Sequence, residues 1–558
     1  MLLRVYTSQP GTQQFVGGIM RFLSRLIAAF LLLICTAWGD EGHHHSLTEE
    51  EIGSAQFATS CSPQVAVAFN RAVALLHSFQ YEKTREAFMD VANQDPNCAM
   101  AYWGVAMSHY HGLWGNGDMN AGGVAIRKSQ EIAAVNSSTT PREKGYIEAL
   151  AEVYKEDGKD KILHAQAFEQ KMAALQAAYP DDNEAAIFHA LTLAITAPKT
   201  DKTFANQRKC GEILEPIFAR NSHHPGVAHY IIHCYDNPVL AEKGLGAARL
   251  YAKIAPASAH ANHMPSHIFT RVGSWDESIS SNIRSAELAT ADEAASKNGE
   301  ARDQHLHAMD YLEYAYLQSG RVKQAKAVLD EMNSLKPLPG ISLTGGYGHA
   351  AIPVRYALER RDWQAASALE PSSEGVPWAQ AITWMGIGVG SARSGNLDRA
   401  VQAEHTLASL RDSAASQDQY WSNQIEVQRR EVAAWISEKG GKSSDAIVSM
   451  RSAAELEESM DKHAVTPGAM LPAREMLAEL LSIHGQAQAA LEEYQAVLKV
   501  APNRFNALYG AASAAETAGN ATLANQLFQK LTEIAVGEER PELVAARRKV
   551  AAIAQVAQ

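Results

Sequence analysis

The sequence predicts an all-α fold in which pairs of helices repeat and stack into a solenoid. The alanine-rich text has few β-branched runs, which favours helix. Two histidine pairs, His229 with His233 and His263 with His267, share an i, i+4 spacing. The second pair follows the first at an interval of about 34 residues, the length of a helix–turn–helix repeat. A stack in which each repeat contacts only its neighbours also accommodates 558 residues, which exceed one compact core.

Helical periodicity begins at Cys61 and continues to the end of the chain. Between 140 and 220 the pattern predicts four helices, at 140–156, 161–178, 182–197 and 204–220, with a cap at Asp182. Complete repeats follow at 224–256 and 259–290. After a polar insertion the period resumes, with turns at Gly320 and Gly395. The most regular repeats are 470–502 and 505–536.

Several units carry a familiar set of residues at fixed positions. Tyr81, Phe88 and Pro96 fit the late aromatic, aromatic and proline positions of one unit, and Ala524 and Phe528 mark the last. The chain therefore resembles tetratricopeptide repeat (TPR) proteins, most closely exported bacterial ones. This resemblance implies a TPR-like α-solenoid, a right-handed superhelix whose concave face is lined by the first helix of each repeat. It also implies a peptide or protein partner in that groove.

These patterns divide the chain into six segments. The predicted organisation is a signal peptide at 1–39, a disordered histidine-containing tail at 40–60, TPR-like repeats at 61–222, histidine-rich repeats at 223–336, further repeats at 337–440, and C-terminal repeats with a capping helix at 441–558.

The N-terminus has the features of an export signal. Arg21 and Arg25 precede the apolar run 26–35, which is too short to span a bilayer, and small residues follow near 37–39. Met20 is an alternative start. An uncleaved anchor and, through Cys35, a lipoprotein are the other interpretations. We expect an exported chain, periplasmic or extracellular, with no membrane span after cleavage.

The charge balance argues against nucleic acid as a partner. The whole chain has a formal net charge of −12, and the segment before Asp40 removes three basic residues and no acidic one. A strongly acidic protein is a poor ligand for nucleic acid or anionic lipid.

Four cysteines remain after the signal segment. An even number in an oxidising compartment makes disulfides plausible. The preferred pairing of the three available is Cys61 with Cys98 and Cys210 with Cys234. Buried free thiols are an equally open alternative.

Placed in the repeat frame that the resemblance implies, the histidines share one face. His229 and His263 take position 5, and His233 and His267 take position 9, both of which face the groove in TPR proteins. His260 takes position 2 of its repeat. In the repeat anchored on Gly320, His307 and Asp310 take positions 2 and 5, and His224 lies just before the first of these helices.

Such a patch predicts a transition-metal site. Histidine suits zinc, copper and iron, and Asp310 would supply a carboxylate. The competing interpretations are a polar groove that binds a peptide and ordinary packing. Duplication of a repeat would also produce two equivalent histidine pairs, even if neither pair has a function.

The activity is not defined by the sequence. Although HYIIH has the spacing of a zinc-protease helix, Tyr230 stands where the general-base glutamate belongs, which argues against that mechanism. Tyr230, Arg355 and Trp384 are candidate groove residues. We therefore expect a binding scaffold with a metal site, and the alternative is a redox or hydrolytic metalloenzyme that uses the same histidines.

Overall fold

The computed structural model describes most of the chain. Of the two compact units, Met1–Leu47 and Thr48–Gln558, the second contains all the helices of the described residues. The predicted signal segment and histidines 43–45 lie outside the described residues. The described residues are 47–115, 117–293, 300–335, 342–371 and 375–556.

All regular structure in the described residues is helical. Short 3-10 turns occur at Pro63–Val65 and Ala241–Gly244. The helices of the first half are α1 (Glu49–Ile52), α2 (Ala66–His77), α3 (Tyr81–Gln94), α4 (Ala99–His109), α5 (Met119–Val135), α6 (Pro141–Ala151), α7 (Lys161–Ala178), α8 (Asn183–Thr196), α9 (Ala205–Arg220), α10 (Pro225–Tyr235), α11 (Leu245–Ile254), α12 (Ala259–His263), α13 (Pro265–Arg271) and α14 (Trp275–Asp292).

The second half continues the same pattern, and helices consecutive in sequence pack against one another. Its members are α15 (Glu300–Gln318), α16 (Val322–Ser334), α17 (Leu343–Glu359), α18 (Trp363–Ser367), α19 (Pro377–Ser394), α20 (Leu397–Ala415), α21 (Gln419–Lys439), α22 (Ser443–Glu458), α23 (Ala473–Ile483), α24 (Ala487–Val500), α25 (Phe505–Thr517), α26 (Ala521–Ile534) and α27 (Pro541–Val556).

The repeat geometry is clearest near the C-terminus. Gly485 and Gly519 lie one repeat length apart, each at the turn between two helices, and both have positive φ (+70° and +82°). Glycine adopts this conformation without the steric cost that a side chain adds. Tyr494 and Phe528, separated by the same interval, are both buried in the hydrophobic core. The predicted all-α, TPR-like solenoid is confirmed.

The four helices predicted between 140 and 220 are confirmed as α6 to α9. The Asp182 side chain caps α8 by accepting a hydrogen bond from the backbone N–H of Glu184. No helix in the described residues is both long and apolar enough to cross a membrane.

Contacts between distant repeats distinguish this fold from a simple open stack. Asn503 donates to the carbonyl of Gly273 at 3.0 Å, and the N–H of Val536 donates to the carbonyl of Ser319 at 2.9 Å. The C-terminal repeats therefore pack on the turns of the middle repeats. The expectation that each repeat contacts only its neighbours is wrong at these positions, because the linkers between helices pair across the stack.

The segment 47–60 differs from the predicted disordered tail. It contains α1, and Ile52 and Phe57 are buried. The carbonyl of Glu51 accepts a hydrogen bond from Ala257 N–H at 3.1 Å, which ties the segment to the histidine-bearing repeats. Burial of two large apolar side chains favours order here.

Two disulfides join the preferred cysteine pairs. Cys61 is bonded to Cys98, with Cα atoms 4.8 Å apart, and Cys210 to Cys234, with Cα atoms 6.2 Å apart. The second bridge ties α9 to α10, the helix that carries His229 and His233.

Candidate metal centre

Helix α10 and the short helices α12 and α13 present the two histidine pairs. The Ser258 side chain caps α12 by accepting from Ala261 N–H. Pro265 lacks a backbone N–H, so the helical hydrogen-bond ladder is interrupted and the segment is divided into α12 and α13. Met264 between them keeps helical dihedral angles, which leaves His263 and His267 one turn apart on one face.

The first triad consists of His229, His233 and His260. The Nε2 atom of His229 lies 3.0 Å from the Nε2 of His233 and 3.0 Å from that of His260. One ring nitrogen from each residue lies within 4.8 Å of the other two. His229 and His260 are buried, and His233 is partly exposed.

The second triad consists of His263, His267 and His307, all buried. The Nε2 atoms of His263 and His267 are 3.0 Å apart. The ring of His307, from α15, lies with its centroid 4.3 Å from that of His263. The buried Nδ1 atom of His307 has no hydrogen-bond partner among the described residues.

The two triads are neighbours. The rings of His233 and His267 are 6.2 Å apart between centroids, and those of His260 and His263 are 6.4 Å apart. Six imidazoles on three consecutive repeats thus form one cluster. The repeat offset brings equivalent positions of adjacent helices together, as the sequence predicts.

Acceptors behind the first triad hold its rings. His229 donates from Nδ1 to the backbone carbonyl of His77 at 2.6 Å, and a carbonyl oxygen only accepts. The Nδ1 of His260 lies 3.4 Å from Oε1 of Gln304. The proton of His229 is therefore on Nδ1, and its Nε2 carries a lone pair.

The second triad is held in the same way. His263 donates from Nδ1 to Oδ1 of Asn282 at 2.7 Å, and the Asn282 amide donates to the Ser278 carbonyl, which fixes its orientation. His267 donates from Nδ1 to Oδ2 of Asp236 at 2.9 Å. A carboxylate, carbonyl or amide oxygen behind a metal-binding imidazole is the usual arrangement that fixes the tautomer of the ring.

These hydrogen bonds leave lone pairs facing each other. In the neutral state both Nε2 atoms of the His263–His267 pair are acceptors at 3.0 Å, so neither supplies a proton to the other. Burial lowers the pKa of all six rings, which disfavours a proton between them. A bound cation would relieve this repulsion.

The spacing fits a shared metal ion. Imidazole nitrogens bind transition metals at about 2.0–2.1 Å, and two such ligands 3.0 Å apart would subtend an angle of about 91–97° at the ion. Tetrahedral ligands at that bond length would lie about 3.3 Å apart. The observed separations match adjacent positions of a square or octahedral ion more closely.

Asp236 connects the second triad to a charged group outside it. Its carboxylate accepts from Arg271 at 2.7 Å and from Lys462 at 3.1 Å. Although burial alone would raise the pKa of Asp236, these cations and His267 hold it well below its usual range. The partner of the His267 imidazole is therefore an ionised carboxylate.

The histidines do not line an open groove. The segment 459–472, between α22 and α23, enters the stack beside them. The Tyr311 hydroxyl lies within hydrogen-bond distance of the backbone carbonyls of Ala464 and Thr466, at 3.0 and 3.1 Å, and 3.3 Å from His267 Nδ1. The prediction of a solvent-lined groove at this patch is wrong because the chain fills the space itself.

Asp310 and Arg355 form a separate pair. The Arg355 Nε atom donates to Asp310 at 3.2 Å, and both side chains are fully buried. Arg355 also donates to the Ala469 carbonyl at 3.1 Å. Burial raises the pKa of Asp310 to about 6 in spite of Arg355. Asp310 therefore does not join either histidine triad, and Arg355 is not a groove residue, because the two form a buried ion pair; the second oxygen of Asp310, Oδ2, has no partner among the described residues.

His224 and Tyr230 belong to a third cluster around Glu184. His224 and His77 contact the two oxygens of Glu184 at 2.8 and 2.9 Å, and Tyr230 lies 3.0 Å from Nδ1 of His77. His224 is thus outside the triads, and the fully buried Tyr230 is not open to a groove. Because the His77 carbonyl holds His229, this cluster positions the first triad from behind.

Trp384, the other candidate groove residue, is partly buried and packs against the hydrophobic core of the second half of the stack. The sequence provided no signal for Asn282, on the second helix of the repeat that carries His263, or for His77 and Glu184, which come from other repeats.

No protein-family model and no curated protein matches the sequence. Among solved structures, a monomeric mutant of IFIT1 with Gppp-AAAA is 12% identical, with 86% of this chain and 92% of that chain covered and a TM-score of 0.35. The human IFIT1 dimer with PPP-AAAA is 11% identical, with coverages of 84% and 90% and a TM-score of 0.34. Yeast Tom70 is 15% identical, with both coverages 88% and a TM-score of 0.29.

The fold and the site together define an α-solenoid with two adjacent three-histidine clusters in its interior. At TM-scores this low, the similar structures carry no inference about what the chain binds.

Proposed function

We propose that this chain is a metalloprotein whose functional centre is a pair of transition-metal ions, one in each histidine triad. The observation that carries the proposal is the pair of facing Nε2 atoms at 3.0 Å whose Nδ1 protons are committed to Asn282 and Asp236. A metal ion binds the neutral form of imidazole, and the lowered pKa values of the six triad histidines favour that form.

Copper is the metal that the ligand set favours. Each triad offers three imidazoles and neither a carboxylate nor a thiolate. Nitrogen sites bind copper(II) most strongly among the first-row divalent ions, whereas hard cations prefer oxygen ligands. The near-90° angles fit tetragonal copper better than tetrahedral zinc.

The centre is suited to chemistry rather than to binding a peptide. Three protein ligands leave coordination positions open for an exogenous molecule. The rings are buried beside the segment 459–472, so a partner peptide lacks a surface at this patch. We infer a metalloenzyme that performs redox chemistry on a small molecule at the metal pair.

We also propose that the protein is exported to an oxidising compartment. The apolar run after Arg25 supports this, as do the two disulfides, which persist in such compartments.

Elemental analysis of protein isolated from its own compartment tests the metal proposal. We expect two copper ions per chain, falling to one in His260→Ala and to one in His307→Ala. The matched control His405→Ala removes an exposed histidine and should keep both ions. An equal metal content in all four proteins, or no stoichiometric metal in the wild type, contradicts the proposal.

A further inference from the structure

A second candidate site lies along helix α21. A cavity of about 540 Å³ is lined there by α21, the segment 459–472 and parts of α22 and α24. Its volume falls within the range of small-molecule sites, roughly 300–1,000 Å³. The six histidines of the triads are not among its lining residues.

Unpartnered acceptors distinguish one part of this cavity. Glu431, on α21, is 1% exposed and makes no hydrogen bond or ion pair among the described residues. The buried Oε1 atom of Gln428, one turn earlier, also has no partner there. Glu457 reaches the same cavity and accepts only from the N–H of Ala473, at 3.0 Å.

A buried carboxyl without a cation is costly. Burial raises the pKa of Glu431 well above its usual range and that of Glu457 to about 7, because neighbouring cations do not offset the desolvation. A ligand that brings positive charge and several N–H donors would satisfy both carboxyls and the amide oxygen.

The rest of the cavity wall is largely apolar and indicates the chemical nature of the rest of that ligand. Apolar side chains that line the cavity include Met385, Val427 and Val497, and the rings of Trp421 and Tyr347 also line it. Apolar walls accept a hydrocarbon body, and aromatic rings also attract cations.

The cationic side chains that line the cavity do not neutralise these carboxyls. Arg271 and Lys462 are paired with Asp236, and Arg474 is paired with Glu458. Lys202 and Lys499 are exposed. The buried unpaired groups are therefore acceptors.

We propose that this cavity binds a primary amine with an apolar or aromatic body, its ammonium group held by Glu431, Glu457 and Gln428. The assignment does not depend on the metal pair, since none of these residues touches a triad.

Titration calorimetry with three matched probes tests it. The probes are 4-phenylbutylamine, 4-phenylbutan-1-ol and 4-phenylbutyrate, which share a body and differ in the polar end. We expect the amine to bind at least tenfold more tightly than the alcohol, and the carboxylate to bind most weakly.

Variants locate the binding. Glu431→Gln should reduce the preference for amine over alcohol to less than threefold. The control Glu455→Gln, an exposed carboxylate on α22, should keep the full preference. Should Glu431→Gln fail to fold, Gln428→Met serves instead, because it removes the unpartnered oxygen and retains the side-chain length.

Equal binding of amine and alcohol, an unchanged preference in the variant, or no binding at 10 mM would each overturn the assignment. Metal content measured on the same samples separates this result from the metal proposal, since Glu431→Gln should keep both ions.

Discussion

Replacing Asn282 by alanine should weaken one metal ion of the pair and spare the other. The substitution removes the acceptor that holds His263 Nδ1 at 2.7 Å, while all six imidazoles stay in place. Loss of such a supporting group costs about 10- to 100-fold in metal affinity, or about 1.4–2.8 kcal/mol. The first triad has its own acceptors and should keep its affinity.

Competition against a chelator of known affinity measures the two binding steps. We expect the affinity of one binding step to stay unchanged and that of the other to weaken by about 10- to 100-fold. The metal-free variant should also lose about 1–3 kcal/mol of unfolding free energy in urea, because a buried N–H loses its partner. Asn206→Ala, which removes a helical asparagine that bonds to Leu193 and Thr196, is the matched control. Unchanged affinity at both sites, or equal loss at both, would contradict the supporting role of Asn282.

Three further outcomes are expected. Three arginines lower the pKa of Glu426 to about 2 despite its burial. A lowered pKa stabilises the fold at pH values above the unfolded pKa of 4.5, so Glu426→Gln should reduce the free energy of unfolding in urea by about 1–2 kcal/mol at pH 7. This loss should shrink as the pH falls toward 2. Buried Arg504 pairs with Glu359 and Glu475 at 2.7 Å, so Arg504→Ala should cost about 3–5 kcal/mol, whereas Lys549→Ala, at an exposed pair, should cost less than about 1. Calorimetric scans should show a lower melting temperature after metal removal, restored by copper, since a ligand bound only to the folded state stabilises it.

The repeat frame explains why much of the cluster was predictable. A constant repeat length places equivalent positions of adjacent helices side by side, so His229, His233, His263 and His267 had to meet once the helices stacked. His260 and His307 followed from the same register. Helix bounds in the regular repeats follow from turn glycines such as Gly519.

The rest depends on contacts that periodicity does not encode. Asp310 occupies a groove position in the repeat frame, yet it forms a buried ion pair with Arg355 from α17. The segment 459–472 fills the space next to the histidines because it follows an irregular path between two helices. Asn282 supports His263 from the second helix of the same repeat, and His77 supports His229 from a different repeat. Such pairings are set by tertiary packing and leave no spacing signal in the sequence.

The most direct test of the metal pair is anomalous diffraction from crystals of copper-loaded protein, with data collected on both sides of the copper absorption edge. We expect two peaks, one within about 2.0–2.1 Å of the ring nitrogens of each triad. A single peak, or a peak at the cluster of His77, Glu184 and His224 with none at the triads, would contradict it.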